Sequence, residues 1–504
     1  MSGRLLLAHD LGTSGNKATL FDMEGNLLGS KTVPYKTFYS NITWAEQDPQ
    51  AWWDAVCSST RAILGSHKAE DIGVVAFSGQ MMGCLAVDEK GVPLKNHIIY
   101  SDQRAVKQTQ SLVERIDAKR VFEITGHRAS PSYAIEKLMW LRDNEPEVYK
   151  NTHKMLNAKD YINFKLTGRM VTEFNDASGT NALDLKKLAW SEEIIEAARV
   201  DISKFPDLIQ SIGIVGEVTA QAAQATGLKK GTLVVAGAGD GGCATVGIGS
   251  VRPGITYNYI GSSSWISTTS TEVLQDAEMK NFTWAHPVPG YMQPCGTMQT
   301  AGSSYAWLKE QLGQWEIHEA AKKGINPYRL LDGQVEQSSV GANGVLFLPY
   351  LLGERSPRWN PDAKGAFIGL TLERTKADMF RAVLEGITMN LSLILDVMKA
   401  QVHIQEMRVL GGGPKGKQWR QILADVYDLP IIVPKYLEEA TSMGAAVIGG
   451  VGAGLLDSFD RIESFIQFTD RVEPNRQHVE RYRQIRPLFD EAYHALEPLF
   501  SKLQ

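Results

Sequence analysis

One carboxylate dominates the chemistry legible in this chain. Asp240 lies in TLVVAGAGDGGCATVGIG at 232–249, behind an apolar run, Thr232 to Ala236, that reads as a buried strand. Gly237, Ala238 and Gly239 precede it and Gly241 and Gly242 follow, so little side-chain bulk surrounds the acid and a ligand can approach the backbone closely. Three readings meet here. Gly237, Gly239 and Gly242 match the G-x-G-x-x-G pattern that cradles a dinucleotide, but after Asp240 the next acidic residue is Glu272, beyond the place of a ribose partner. An Asp in a turn can also simply cap a helix. A positioned base or metal-linked carboxylate is the reading carried forward.

Other groups suited to binding stand at the ends of apolar runs. Leu5 to Ala8 leads to His9 and Asp10, then to the turn Gly12-Thr13-Ser14-Gly15, whose N–H groups and hydroxyls can seat an anion or merely close a hairpin. Val74 to Phe77 leads to a glycine-bounded break at 79–83, and HIIYSDQRA places Asp102 and Arg104 after a further strand. Polar groups at successive strand ends of an open α/β sheet tend to share one crevice. In the second half, ITYNYI followed by GSSSWIS repeats the N-terminal strand, hydroxyl-rich turn and strand, which suggests a duplicated fold facing itself across a cleft. Gly411, Gly412 and Gly413 end another strand and serve equally a close ligand approach or a tight strand-to-helix turn.

The elements that must position these groups follow from local signals. Asp48 and Pro49 open a helix to about Gly65, and Thr375 with Asp378 opens a longer one with an apolar stripe from Phe380 to Leu395. Ala134–Arg142 and Trp190–Arg199 have helical spacing, and NDASGT at 175–180 reads as a plain turn. A helix from about Ser303, a small-residue helix from Thr441 to Gly454 and an amphipathic helix from Glu480 to Leu503 complete the second half. GSVRPG at 249–254 marks the break between halves, which predicts domains at 1–250 and 251–504. In the irregular loop at 353–370, Glu354, Arg355, Arg358 and Trp359 are expected to form buried Arg–carboxylate pairs with a structural role.

Composition bounds the partners. With 52 basic and 57 acidic side chains the formal net charge is −5, a balance unlike that of a nucleic-acid coat or a polybasic membrane binder. The four cysteines are too far apart for a C-x-x-C pair, no run approaches a membrane span, and Leu5–Ala8 is too short for a signal core. A cytoplasmic protein is the expectation.

Eight stretches in order resemble the FGGY family of carbohydrate kinases, within the actin-like ATPase superfamily. They are HDLGTSGNKATLFD at 9–22, WAEQDPQAWW at 44–53, FSGQMMG at 77–83, YSDQRA at 100–105, AGAGDGGCATVG at 236–247, GSSSWIS at 261–267, GERSPRWNPDAKGAFIGL at 353–370 and GGGPKGKQWRQILAD at 411–425. WAEQDP, SGQM, the D-x-R at 102–104 and GERSP look most like the xylulokinase branch. The resemblance implies an α/β chain of two actin-like (ribonuclease H-like) domains with ATP, Mg2+ and a sugar in the cleft between them. It implies an ATP site of Gly12, Thr13, Ser14, Lys17, Gly261, Ser262, Ser263, Gly302, Gly411, Gly412 and Gly413, with Asp10, and Asp240 beside it, holding magnesium largely through water. Asp240 would be the general base, and Gln80, Met81, Met82, Asp102, Asp240 and Gly241 would form the sugar pocket. D-xylulose is the acceptor implied; ribulose, a tetritol, glycerol, or sugar binding without catalysis remain open, as does a homodimer. Two departures stand out: xylulokinases typically carry a histidine where this chain has Met82 and an asparagine where it has Gly241.

Overall fold

A computed structural model describes residues 4–274, 276–435 and 439–503. The first sheet contains β1 (Leu5–Leu11), β2 (Gly15–Phe21), β3 (Leu27–Pro34), β4 (Ile72–Gly79), β5 (Ile214–Glu217) and β6 (Leu233–Gly239), in the order β5-β6-β4-β1-β2-β3. The second contains β7 (Thr256–Ile260), β8 (Ser264–Thr268), β9 (Phe282–Ala285), β10 (Met292–Met298), β11 (Met407–Gly411), β12 (Ile431–Pro434) and β13 (Phe468–Val472). Its order is β9-β10-β8-β7-β11-β12-β13.

Setting aside β9, the two orders trace one path. Each sheet has an antiparallel three-strand meander, two parallel strands beside its first strand, and an antiparallel edge. The weak sequence echo between ITYNYI-GSSSWIS and the N-terminus is therefore a structural repeat, and the architecture is the expected two-lobed actin-like α/β fold. The halves differ in one respect: the antiparallel edge strand precedes its neighbour in the first sheet and follows it in the second.

Helices form where the local signals place them, with shifted ends. In α1 (Pro49–Leu64) the Asp48 side chain accepts from the Gln50 N–H at 2.9 Å. The segment read as a plain turn at 175–180 instead contributes to a short helix, α2 (Phe174–Ser178), capped by the Glu173 carboxylate on the Asn175 and Asp176 N–H groups. α3 (Asp240–Gly247) begins directly at the acid. In the second half come α4 (Gly302–Leu312), α5 (Lys376–Lys399), α6 (Lys417–Tyr427), α7 (Ala440–Gly452) and α8 (Arg476–Phe500). Thr375 and Asp378 form the predicted capping box of α5, whose Phe380, Val383, Leu384, Ile387 and Leu391 are fully buried in the core of the second lobe.

The small-residue helix α7 belongs by sequence to the second half but covers the first sheet. Its Ala445, Ala446, Val447 and Ile448 pack with Leu6, Ala8, Val74, Ala76 and Val235. Against α3 the approach is backbone to backbone: a Cβ on Gly444 would lie 1.8 Å from the Cys243 carbonyl oxygen, and one on Gly247 would lie 1.6 Å from that of Ala440. The two lobes are thus joined by a pair of helices whose contact requires glycine.

The loop at 353–370 departs from expectation. Glu354 is 4% exposed, and its partners are the backbone N–H groups of Gln299 (2.6 Å) and Arg355 (2.8 Å) and the Asn390 amide (2.8 Å), with no guanidinium among the described residues pairing with it. Arg358 instead pairs with Asp490 at 2.7 Å and lies over the Tyr493 ring. Among the described residues no helix is long and apolar enough to cross a membrane.

Candidate active site

The site grows from three parallel strand ends. β4 lies between β1 and β6, with Ser78 opposite Asp10 on one side and Ala238 on the other. Their C-terminal ends therefore deliver Asp10, Ser78 and, one residue beyond β6, Asp240 to one edge of the sheet. A bulge re-aims the last strand: its register slips between Val235 and Ala238, where Gly237 takes φ +77° and the Phe77 carbonyl occupies the space of a side chain.

At this edge the charges press on one another. Ser78 donates to Asp10 at 2.9 Å, and Lys17 on β2 pairs at 2.6 Å with Glu439, the residue preceding α7. Burial raises the Asp10 pKa above the ordinary carboxylate range, while Ser78 and Lys17 pull it down. Asp240 is exposed at the strand end. Desolvation by the surrounding protein, and then the charge of Asp10, pushes its pKa up to about 7, against the Gly241 N–H donating to it at 2.7 Å. A carboxylate poised near neutrality can accept a proton from an alcohol and return it.

The expected nucleotide residues fall into two groups. Gly12, Thr13 and Ser14 form the turn between β1 and β2, held by Tyr35 donating to the Gly12 carbonyl and Gln47 donating to that of Thr13 at 2.7 Å. Gly261, Ser262 and Ser263 form the equivalent turn between β7 and β8. Gly302 packs on it so closely that its Cβ would lie 2.2 Å from the Gly261 oxygen, and the Ala301 and Ser303 N–H groups donate to the Ser262 carbonyl. Gly411, at φ +90°, pairs with Ile260 at the end of β7, with Gly412 and Gly413 following. The second-half glycines and serines thus converge.

The expected sugar residues divide. Met81 lies against Gly239, where a Cβ would come within 2.4 Å of its Sδ, and so walls the approach to Asp240. Met82 takes φ +64°, costly for a bulky side chain, and the buried Lys137 donates to its carbonyl at 2.8 Å. Gly241 stays open: a Cβ there meets nothing within 4 Å. Gln80 is buried; its amide donates to Gln47 Oε1 at 2.6 Å, and its own Oε1 is unpartnered among the described residues. Asp102 does not present an acceptor. Fully buried, it takes a fork from Arg104 at 2.9 and 2.8 Å and the Ala45 N–H at 2.6 Å, so it braces the loop from behind.

One residue at this edge escaped the sequence. Asn175 accepts from the Gly239 N–H at 3.1 Å, next to Asp240, although nothing local in NDASGT marks that long-range bond. Arg355, expected in a structural ion pair, is exposed on the second lobe with the charge of Glu354 beside it. Tyr100 meets Thr13 Oγ1 at 3.4 Å. No group of three or more metal-ligating side chains converges among the described residues. Asp10 and Asp240, two carboxylates beside anion-seating turns, suit a hard cation that takes one or two carboxylates and completes its shell with phosphate oxygens and water.

The chain is similar to known proteins over nearly its whole length. Models of the N-terminal and C-terminal domains of the FGGY family of carbohydrate kinases match residues 5–247 and 256–453. The chain is 33% identical to a xylulose kinase of Lactococcus lactis over 97% of its length and 96% of the relative. It is 30% identical to a gluconokinase of Bacillus licheniformis, covering 99% and 97%. The crystal structure of xylulose kinase from Rhodospirillum rubrum superposes with a TM-score of 0.92 at 27% identity, covering 99% of this chain and all of that one.

Proposed function

The chain belongs to the FGGY family of carbohydrate kinases and is an ATP-dependent sugar kinase; from that premise we propose that it phosphorylates a primary hydroxyl of a ketopentose, D-xylulose first, with Asp240 as general base. The observation that carries this reading is the Asp240 carboxylate, open to solvent at a strand end beside Asp10 and raised to about 7. As the acceptor oxygen attacks the γ-phosphorus, its O–H bond breaks, the proton passes to Asp240, and the bond from phosphorus to the bridging oxygen opens to release ADP. The turns at 12–14 and 261–263 supply fixed N–H dipoles to the phosphates. Asp10, with Asp240 nearby, would hold magnesium at this acidic edge, where it would offset phosphate charge. Residues 1–250 would bind the sugar and 251–504 most of the nucleotide.

The acceptor pocket follows from Met81, Met82 and the open face of Gly241, which together present apolar wall and free space beside the base. One observation favours a second acceptor class. The Arg355 guanidinium suits a carboxylate-bearing sugar such as gluconate, on which relatives at about the same identity are named. A coupled ADP-release assay over D-xylulose, D-ribulose, erythritol, glycerol and gluconate separates these. The reading expects the highest kcat/KM with D-xylulose. Preference for gluconate, abolished in Arg355→Met, would replace it with the sugar-acid reading, and tight sugar binding by titration calorimetry without ADP release would replace both with a binding module.

A further inference from the structure

We propose that Asn175 is a positioning residue for the phosphoryl transfer, setting Asp240 from behind and tying that setting to the seating of the second lobe. Its Oδ1 accepts from the Gly239 N–H at 3.1 Å, the peptide group that leads into Asp240. Its Nδ2 donates at 2.6 Å to the carbonyl of Ala285 on β9, an edge strand of the other sheet. The amide orientation is forced by these partners, because one offers only a donor and the other only an acceptor. A single buried side chain therefore bridges the base's strand and the opposite lobe.

The surroundings hold that side chain rigidly. Asn175 is fully buried, and its amide occupies the space a Cβ on Gly242 would need, at 2.3 Å from Oδ1, so Gly242 is required for the contact. It sits in α2, whose first N–H groups are capped by Glu173 at 2.8 Å. Glu173 is fixed in turn by the Ser211 hydroxyl at 2.5 Å and the Lys159 ammonium at 3.4 Å; Lys159 also pairs with Asp160 at 2.6 Å and Asp176 at 3.1 Å. All four ionisable groups are buried. Such a cluster is costly to assemble for a plain turn, and here it anchors the helix that holds the base's strand. β9 makes a second contact with the same helix, the Ala285 N–H donating to Ser178 Oγ at 3.3 Å.

This inference rests on Asp240 being the base, and its test distinguishes the two. In Asn175→Ala, kcat should fall on the order of 10- to 100-fold, as for a misplacement of about 1 Å, while the KM for ATP stays within about twofold. A fall confined to kcat, with denaturant melts showing the fold retained, separates a positioning role from a merely structural one. Where the alanine variant fails to fold, Asn175→Asp keeps the acceptor for Gly239 and loses the donor to Ala285, so its kcat should fall with the KM for ATP retained. A folded Asn175→Ala or a folded Asn175→Asp with wild-type kcat overturns the inference. If Asp240→Asn is inactive while the Asn175 variants behave as wild type, the base stands and the positioning role falls.

Discussion

At the scale of single residues, the proposal turns on one carboxylate whose environment disfavours its charge. Surrounding protein and the neighbouring Asp10 raise Asp240 to about 7, so as the proposed base it would be protonated below that pH and unable to accept the hydroxyl proton. The rate should therefore rise with pH through about 7 and level above it, which a profile of kcat/KM between pH 5.5 and 8.5 reads directly. Replacing Asp10 with Asn removes the like charge and should carry that limb to lower pH while lowering the plateau; a limb that stays put would assign it to another group. Sequence alone singled out Asp240 because glycines surround it on both sides. It also offered Asp102 as a sugar ligand, since D-x-R after a strand looks the same whether the arginine binds a guest or, as here, clamps the aspartate in a buried fork.

At the scale of elements, the pairing of α3 and α7 is the least forgiving contact. An alanine in a helix interior ordinarily gains about 1 kcal/mol over glycine. At Gly444 the added Cβ would lie 1.8 Å from a backbone oxygen that cannot rotate away, so Gly444→Ala should instead cost about 2 kcal/mol or more. Denaturant melts measure this; a stabilised variant would show that the helices slide apart freely. Capping residues made α1 and α5 legible, because Asp48-Pro49 and Thr375 with Asp378 act within one helical turn. The helix at Phe174–Ser178 was not legible as one, since its cap is a glutamate whose own fixation comes from Lys159 and Ser211, distant in sequence.

At the scale of the molecule, each sheet carries a hydroxyl-rich turn between its first two strands, a repeat the sequence hinted at, whereas the interlobe contacts could not be read from it. Lys17 to Glu439, Asn175 to Ala285 and Thr245 to Tyr257 each link the halves through side chains about which neither half's pattern says anything. Phosphoryl transfer requires water to be excluded, so the lobes should close when both sites fill. Small-angle scattering should show a smaller radius of gyration with a non-hydrolysable ATP analogue and the sugar than with either alone; an unchanged radius would mean the unliganded cleft is already shut. The central proposal is that Asp240 takes the proton as the phosphoryl group moves onto the sugar. The most direct measurement is sugar-dependent ADP release by Asp240→Asn beside the wild type, with nucleotide binding checked by calorimetry. Turnover should fall on the order of 100- to 10,000-fold with ATP affinity retained; undiminished turnover would contradict the account.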